Sequence, residues 1–175
     1  MNLEIFAYSQ VKSPVGPLTI AVSDSGVTML AFGHQLPAKL GGKKVEWRES
    51  ERATADIRQQ LTEYFAGRRR EFTVRLDLRG TEFQRRCWQQ LLQIPYGKTR
   101  SYADIARAVG SPQGFRAVGQ ANHHNPVAIV VPCHRVLAGG RALGGYGGGL
   151  KTKAFLLRLE GAKFQEETPE LAFQD

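Results

Sequence analysis

The spacing of the apolar residues changes near Gly80, and this change constrains the fold more than any other feature of the sequence. Before it, three short apolar segments (residues 3–11, 17–23 and 27–33) are separated by turn residues and are predicted to be strands of an antiparallel meander. After it, apolar residues recur mainly at intervals of three and four, as in amphipathic helices. We therefore predict an α+β fold, with a small antiparallel sheet first and a mainly helical part second.

Three further segments complete the first part. Residues 34–50 are polar, rich in Gly and Lys and without a clear period, so they are predicted to form a loop. Residues 53–70 predict a helix that ends at Gly67. Its apolar residues recur at helical spacing: Ile57, Leu61, Tyr64 and Phe65. Residues 70–80 alternate apolar and polar side chains, which predicts a half-buried strand.

The second part begins with a capping box, in which Thr81 and Gln84 each satisfy an otherwise unpaired backbone N–H group. The helix that follows is predicted to bury one face, which consists of Phe83, Cys87, Leu91 and Ile94, widened by Trp88 and Leu92. Cys87 is therefore interpreted as a small core residue.

Two short helices joined by a tight turn with Gly and Pro come next. Their predicted inner faces are apolar: Tyr102, Ile105, Ala106 and Val109 in the first helix, and Phe115, Val118 and Ala121 in the second. The net charge of +8 favours a DNA-binding helix-turn-helix over a hairpin that only packs in a core. The outward side of the second helix carries small residues and one long cation, Arg116, which suits a narrow groove.

Cys133 follows the apolar run 127–132, which is interpreted as a buried strand. A free thiol titrates near pH ~8.5, and it becomes a useful nucleophile where a base or cations favour the thiolate. His134 and Arg135 offer such surroundings, but neighbouring residues of an extended segment point to opposite sides, so a contact between Cys133 and His134 needs a turn or a bridging water. A reactive nucleophile and a buried structural cysteine both stay open at this point.

Several classes of protein are excluded or disfavoured. No apolar run approaches the length of a membrane span, and the N-terminal residues lack a secretory pattern, so we expect a cytoplasmic protein. The two cysteines fit neither a disulfide framework nor a zinc motif. The adjacent pairs His123-His124 and Cys133-His134 have poor ligand geometry, so no metal and no cofactor are expected.

Four blocks of sequence together resemble the O6-alkylguanine-DNA alkyltransferases, in the bacterial or archaeal form without zinc. The blocks are "FQRRCWQQLLQIPYGKTRSYADIA", "FRAVGQAN", "NPVAIVVPCHRV" and, after a Gly-rich loop (residues 137–150), "RLEG". The likeness runs without a gap from about Thr81 to Ala162. The first half resembles the family only in its strand pattern and in the "LTEYFAG" helix.

The resemblance implies repair by direct, irreversible and stoichiometric transfer of the alkyl group from O6-alkylguanine, and from O4-alkylthymine, to Cys133. The damaged nucleotide in duplex DNA must first be flipped out of the base stack. His134 would act as a base through a water, and Glu160 would orient it. Tyr102 would crowd the adjacent phosphate and donate a proton to the leaving base, and Asn125 would be the hinge between recognition helix and active-site strand.

The resemblance also implies two sets of binding residues. Those that contact DNA, with Arg116 in the space of the extruded nucleotide, would be Arg116, Ala117, Gly119, Gln120, Asn122, Tyr102, Thr99 and Ser101. Those that line the guanine pocket would be Tyr146, Val136, Gly147 and Lys153. His123 and His124 depart from the family pattern, with consequences for phosphate contact and pH dependence.

The expected organisation is a supporting α+β domain (1–79), a winged-helix-like domain for DNA binding and alkyl transfer (80–165) and a tail (166–175). The expected partner is double-stranded DNA that contains O6-alkylguanine, bound by a protein that is monomeric in solution and open to cooperative binding on DNA. Two alternatives remain. One is a lesion-recognition or regulatory DNA-binding protein with an inert Cys133, and the other is a cysteine hydrolase that uses Cys133 and His134.

Overall fold

The computed structural model describes residues 3–166, and its first part is a five-stranded sheet. The strands are β1 (Glu4–Val11), β2 (Leu18–Ser23), β3 (Gly26–Phe32), β4 (Lys39–Leu40) and β5 (Lys43–Glu49), in the order β3-β2-β1-β5-β4. β1, β2 and β3 form the predicted antiparallel meander, because short turns join them and their apolar residues share one core. Of the predicted tail, only Glu166 lies within the described residues.

The prediction of a loop at residues 34–50 is wrong, since β4 and β5 form a hairpin there and β5 pairs in parallel with β1. Gly41 and Gly42 form its two-residue turn with φ of +58° and +82°, the left-handed conformation that such turns require. Charged residues dominate this strand because it lies near the edge of the sheet, and Trp47 alone packs its ring on Phe6, at 5.6 Å between centroids.

The prediction of a strand at residues 70–80 is also wrong. The segment is extended, but it forms only one bridge, between Leu76 and Val27. The amide of Val27 donates to the carbonyl of Arg75 (2.8 Å) and the amide of Asp77 donates to the carbonyl of Val27 (2.8 Å). The alternating apolar residues reflect side-chain packing on the core rather than a continuous ladder of hydrogen bonds.

Residues 3–166 also contain five α-helices: α1 (Ala55–Phe65), α2 (Glu82–Leu92), α3 (Tyr102–Ala108), α4 (Phe115–His123) and α5 (Leu150–Leu159). The capping box is present at the start of α2, where Thr81 Oγ1 accepts from the amide of Gln84 (3.1 Å) and Gln84 Oε1 accepts from the amide of Thr81 (2.9 Å). Cys87 is buried within this helix. β6 (Arg100–Ser101) and β7 (Val136–Leu137) pair in parallel beside α3.

The apolar run 127–132 forms turns instead of the predicted strand. Only Val127 bridges to the sheet, at Leu30, and the amide of Val131 donates back to the carbonyl of Val127 (3.0 Å). Ile129 has a φ of +72°, a conformation that is strained for a β-branched residue. The run is apolar because it is buried on all sides, and such a run gives no period that separates a strand from a buried turn.

None of the helices between residues 3 and 166 is both long and apolar enough to span a membrane.

Candidate active site

Cys133 lies at the start of a one-turn 3-10 helix (Cys133–Arg135), buried to 7% exposure. The turn that a contact with the neighbouring histidine needs is therefore present. Asn125 holds this region in place: its Nδ2 donates to the carbonyl of Val131 (2.8 Å) and to Cys133 Sγ (3.1 Å), and its Oδ1 accepts from the amide of Val127 (3.0 Å). The residue predicted as a hinge thus contacts the thiol directly.

The electrostatic surroundings of Cys133 favour the neutral thiol at rest. Burial raises the pKa of the thiol, and the hydrogen bond from Asn125 and the charge of Lys153 offset this only in part. The expectation that Arg135 favours the thiolate is wrong, because its guanidinium donates to Glu160 Oε1 (2.7 Å) and to the carbonyl of Ile94 (2.7 Å). Because the thiol is neutral at rest, a base must remove its proton.

His134 and Glu160 form a fully buried pair, with 2.8 Å between Nε2 and Oε2. Burial alone would raise the pKa of the Glu160 carboxyl, but the hydrogen bonds from His134 and Arg135 outweigh it and lower the pKa to about 2. Burial lowers the pKa of His134 despite the opposing effect of Glu160, so the imidazole is neutral at neutral pH. An ionised carboxylate only accepts, so His134 carries its proton on Nε2. Its buried Nδ1 has no hydrogen-bond partner among the described residues and is free to accept a proton.

A further contact to Glu160 was not predicted from the sequence. Tyr64, on α1 of the first part, donates from its hydroxyl to Glu160 Oε2 over 2.6 Å. Its position on the apolar face of α1 predicts only burial, and no local signal indicates which buried polar group it meets.

A cavity of about 560 Å³ opens at Cys133, a size typical of small-molecule sites. It is lined by Tyr102, Gly119, Gln120, Asn122, His123, Cys133, Gly145, Tyr146 and Gly147. The fold thus brings together residues that the sequence assigned to three separate roles. A second, open groove of about 1110 Å³ runs between the two parts of the chain and also reaches Cys133.

Two of the four predicted pocket residues lie behind the wall of this cavity. The side chain of Val136 is completely buried, and its carbonyl accepts a hydrogen bond from Lys153 Nζ (2.7 Å). Lys153 Nζ also donates to the carbonyls of Leu143 and Gly145. Burial lowers the pKa of Lys153 to about 8. Lys153 therefore holds the Gly-rich loop, which carries Tyr146, in place through these hydrogen bonds. It also supplies a positive charge near Cys133.

The face predicted to bind DNA is centred on α4. Arg116, Ala117 and Gln120 are exposed there, whereas both polar side-chain atoms of Asn122 are buried and have no partner among the described residues. The expectation that Phe115 lies on the inner side of this helix is wrong, because it is 50% exposed. Phe115 is the first residue of α4, and the burial of this helix begins one turn later, at Val118.

The two remaining residues predicted to contact DNA lie just before α3. Thr99 is half-buried. Ser101 caps α3, where its hydroxyl accepts from the amide of Asp104 (3.0 Å) and its amide donates to Asp104 Oδ2 (2.9 Å). Between residues 3 and 166, no cluster of three or more His, Cys, Asp or Glu side chains could hold a metal ion.

Comparison with known proteins reveals similarity along both parts of the chain. Residues 82–162 match the family model for the DNA binding domain of 6-O-methylguanine DNA methyltransferase, and residues 6–78 match that for its ribonuclease-like domain. The chain is 52% identical over 155 residues to the methylated-DNA–protein-cysteine methyltransferase of Mycolicibacterium paratuberculosis, covering 87% of this chain and 91% of the relative. It is 44% identical over 169 residues to the constitutive methylated-DNA–protein-cysteine methyltransferase of Bacillus subtilis, covering 91% and 98%. A crystal structure of Mycobacterium tuberculosis OGT in complex with DNA superposes with a TM-score of 0.81 at 48% identity, covering 89% and 92%.

Proposed function

The chain belongs to the 6-O-methylguanine DNA methyltransferase family and repairs DNA by transferring an alkyl group to cysteine, and we propose that the acceptor is Cys133. The observation that carries this assignment is the position of Cys133, in the lining of a cavity and with its thiol hydrogen-bonded to Asn125. Cys87, the other cysteine, is fully buried in the core on α2. The lesion is O6-alkylguanine in duplex DNA, and O4-alkylthymine is a second substrate.

The first step is the extrusion of the damaged nucleotide. An alkyl group on O6 of a stacked guanine is out of reach of any side chain, so the nucleotide leaves the stack. The small residues Ala117 and Gly119 let the backbone of α4 approach the minor groove closely. The exposed Arg116 fills the space that the nucleotide leaves. The net charge of +8 supports binding to the phosphates.

The second step is activation of the thiol. His134 accepts the thiol proton on Nδ1 through a bridging water, and the resulting imidazolium is stabilised by the ionised Glu160 at 2.8 Å from Nε2. Asn125 Nδ2 and the charge of Lys153 stabilise the developing thiolate. This division of tasks explains how a thiol whose pKa is raised by burial reacts at neutral pH.

The third step is the transfer itself. The sulfur forms a bond to the alkyl carbon while the bond from that carbon to O6 breaks, and the leaving guanine takes up one proton. Burial raises the pKa of the Tyr102 hydroxyl, which keeps it protonated and able to donate that proton. The His134 imidazolium then returns a proton to Tyr102. The proton that the thiol loses is thus balanced by the proton that guanine gains. The products are an alkyl thioether and neutral guanine, and because a thioether has no good leaving group, each molecule reacts once.

The lining of the cavity supports recognition of a flipped base. Gly145 and Gly147 leave room for a planar ring, and Tyr146 borders the same space, braced edge-on by Phe32 at 5.8 Å between ring centroids. We further propose a monomer in solution, open to cooperative binding on DNA, and a cytoplasmic location, since a reducing compartment keeps the Cys133 thiol available.

The experiment that tests this function is intact mass measurement, followed by peptide mapping, after incubation with duplex DNA that carries one O6-methylguanine. We expect one added methyl group on Cys133 and no more repaired DNA than protein. Cys87→Ser should react like the unchanged protein, and Cys133→Ser should bind the duplex without any mass change. Methylation at another residue, or tight lesion binding by the unchanged protein with no mass change, would contradict the assignment.

A further inference from the structure

We infer that Tyr64 is a positioning residue for alkyl transfer: its hydroxyl holds Glu160 as an ionised acceptor and thereby fixes which nitrogen of His134 carries the proton. This inference rests on the proposed function, because it assigns Tyr64 to the same reactive centre. It also gives the first part of the chain a direct share in the chemistry, since Tyr64 lies on α1 and is 96 residues away from Glu160 in the sequence.

The geometry places Tyr64 on the oxygen that matters. Its hydroxyl donates to Glu160 Oε2 over 2.6 Å, and His134 Nε2 lies 2.8 Å from that same oxygen. Arg135 binds the carboxylate from another side, with Nε 2.7 Å from Oε1 and Nη2 3.0 Å from Oε2. Glu160 is thus surrounded by four hydrogen-bonding nitrogen or oxygen atoms, all of them buried.

The charges around this carboxylate come from several elements. The titratable groups that act on Glu160 or on its partner His134 are Tyr64 from α1, Tyr96 after α2, Arg135 from the 3-10 helix, Tyr146 from the Gly-rich loop and Lys153 from α5. Burial raises the pKa of the Tyr64 hydroxyl far above its ordinary value, and the negative charge of Glu160 raises it further. The Tyr64 hydroxyl therefore stays protonated and donates at neutral pH, whereas Arg135 supplies the balancing charge.

The tautomer of His134 follows from this arrangement. Because Tyr64 and Arg135 both donate to Glu160, the carboxylate stays ionised and accepts from Nε2–H of His134. The proton is then absent from Nδ1, which is the nitrogen that the proposed mechanism needs as a base. Without the Tyr64 hydroxyl, Glu160 loses one of the contacts that hold Oε2 against Nε2, so the tautomer and the ring orientation of His134 are less firmly set.

The packing of the Tyr64 ring does not depend on its hydroxyl. The ring lies 5.3 Å from that of Phe65, 5.4 Å from that of Phe72 and 6.3 Å from that of Tyr96, measured between centroids. Tyr64→Phe therefore keeps these contacts and removes the hydrogen bond to Glu160. Tyr96→Phe is a matched control, because the Tyr96 hydroxyl donates to the carbonyl of Leu159 (3.2 Å) in the same aromatic cluster.

The test compares single-turnover rates of Cys133 methylation by duplex DNA with O6-methylguanine, in excess protein and between about pH 5 and pH 9, the range in which histidine titrates. We expect Tyr64→Phe to slow the reaction roughly tenfold, equivalent to ~1.4 kcal/mol of transition-state free energy. The acidic midpoint should also move to lower pH, because a less well restrained Glu160 stabilises the His134 imidazolium less. Tyr96→Phe should keep the rate and the midpoint of the unchanged protein.

A spectroscopic readout makes the test independent of activity. The ring ¹⁵N shifts of His134 in the unchanged protein should report protonation on Nε2 alone, and those of Tyr64→Phe should report a mixture of tautomers. Protonation of Nδ1 in the unchanged protein, or identical rates, midpoints and shifts in the two Phe variants, would overturn the role of Tyr64. Failure of the unchanged protein to methylate Cys133 would instead reject the proposed function, and the ¹⁵N shifts would still decide on Tyr64.

Discussion

The side chain of Asn125 hydrogen-bonds directly to the thiol of the reactive cysteine. Its amide nitrogen donates to Cys133 Sγ and to the carbonyl of Val131, and its oxygen accepts from Val127. Asn125→Asp keeps the shape and the acceptor but replaces both donations by a negative charge. We expect the rate at which a benzylated guanine base labels Cys133 to fall about 10- to 100-fold, since a hydrogen bond to a charged group contributes roughly 1.5–3 kcal/mol.

Two measurements separate this effect from misfolding. The far-UV circular dichroism of Asn125→Asp should match that of the unchanged protein, and the loss of rate should lessen as the pH rises, because a higher thiol pKa is overcome by base. An unchanged labelling rate would mean that Asn125 holds only the backbone turn and does not stabilise the thiolate.

Several residues of the site were predictable because their roles depend on local sequence. The segment Cys133-His134-Arg135 and Glu160 stand in a motif with fixed spacing, and the structure brings His134 and Glu160 into contact. The assignment of Arg135 to the thiol failed because proximity in sequence does not determine where a long side chain points. The contact of Tyr64 depends on how two distant parts of the chain pack, which no local pattern encodes.

At the scale of elements, α4 can be tested as the helix that binds DNA. Arg116→Ala should reduce the rate of transfer from duplex DNA about 10- to 100-fold, the cost of one important contact. It should leave labelling by the free benzylated guanine base unchanged, because no nucleotide has to be extruded from a stack. Single-turnover assays with both substrates check this expectation.

Arg158→Ala is the control for the loss of one positive charge. Arg158 is an exposed residue of α5 and pairs with Glu166 at 2.8 Å. Its removal should change the two rates little beyond a small effect on DNA affinity at low salt. If Arg116→Ala slowed both substrates equally, the residue would act on the pocket or on folding rather than on extrusion.

The elements differ in how well the sequence predicts them, because their hydrogen bonds join residues at different separations along the chain. The capping boxes of α2 and α3 are complete within four residues, so α2 could be located from Thr81 and Gln84 alone. Strand pairing depends on partners elsewhere in the chain: β5 pairs with β1 across a long separation, and residues 70–80 find only one bridge. The missed hairpin of β4 and β5 had a local signal, the Gly41-Gly42 pair.

At the scale of the whole molecule, the first part supports the site from behind. The amide of Leu30 on β3 donates to the carbonyl of Pro126 (2.9 Å), and the amide of Ala128 donates to the carbonyl of Leu30 (3.0 Å). Phe32 of the same strand contacts Tyr146 on the Gly-rich loop. The sheet thus braces the turn before Cys133 and one wall of the cavity, so perturbations of the buried site should be felt in the stability of the whole fold.

Acid should therefore unfold the protein partly through its buried His134–Glu160 pair. The pKa of Glu160 falls from an ordinary 4.5 to about 2 on folding, so the unfolded chain binds more protons between these values and stability is lost as the pH falls through them. The pKa of His134 is also lowered on folding, so its contribution is complete above about pH 6.5 and declines below it, in the same direction. For Glu160 alone the loss amounts to about 3 kcal/mol.

The contribution of Glu160 can be isolated by following the free energy of urea unfolding between pH 7 and pH 3 in the unchanged protein and in Glu160→Gln. The variant should be less stable at neutral pH, because Arg135 loses its buried counter-charge, but its stability should fall less steeply below about pH 4.5, since a glutamine takes up no proton. Carboxylates such as Asp77, whose pKa is lowered mainly by Arg79 against the effect of burial, remain in both proteins and cancel in the comparison. Equal slopes would mean that folding does not lower the pKa of Glu160, and its hydrogen bonds with His134 and Arg135 would not favour the ionised carboxylate.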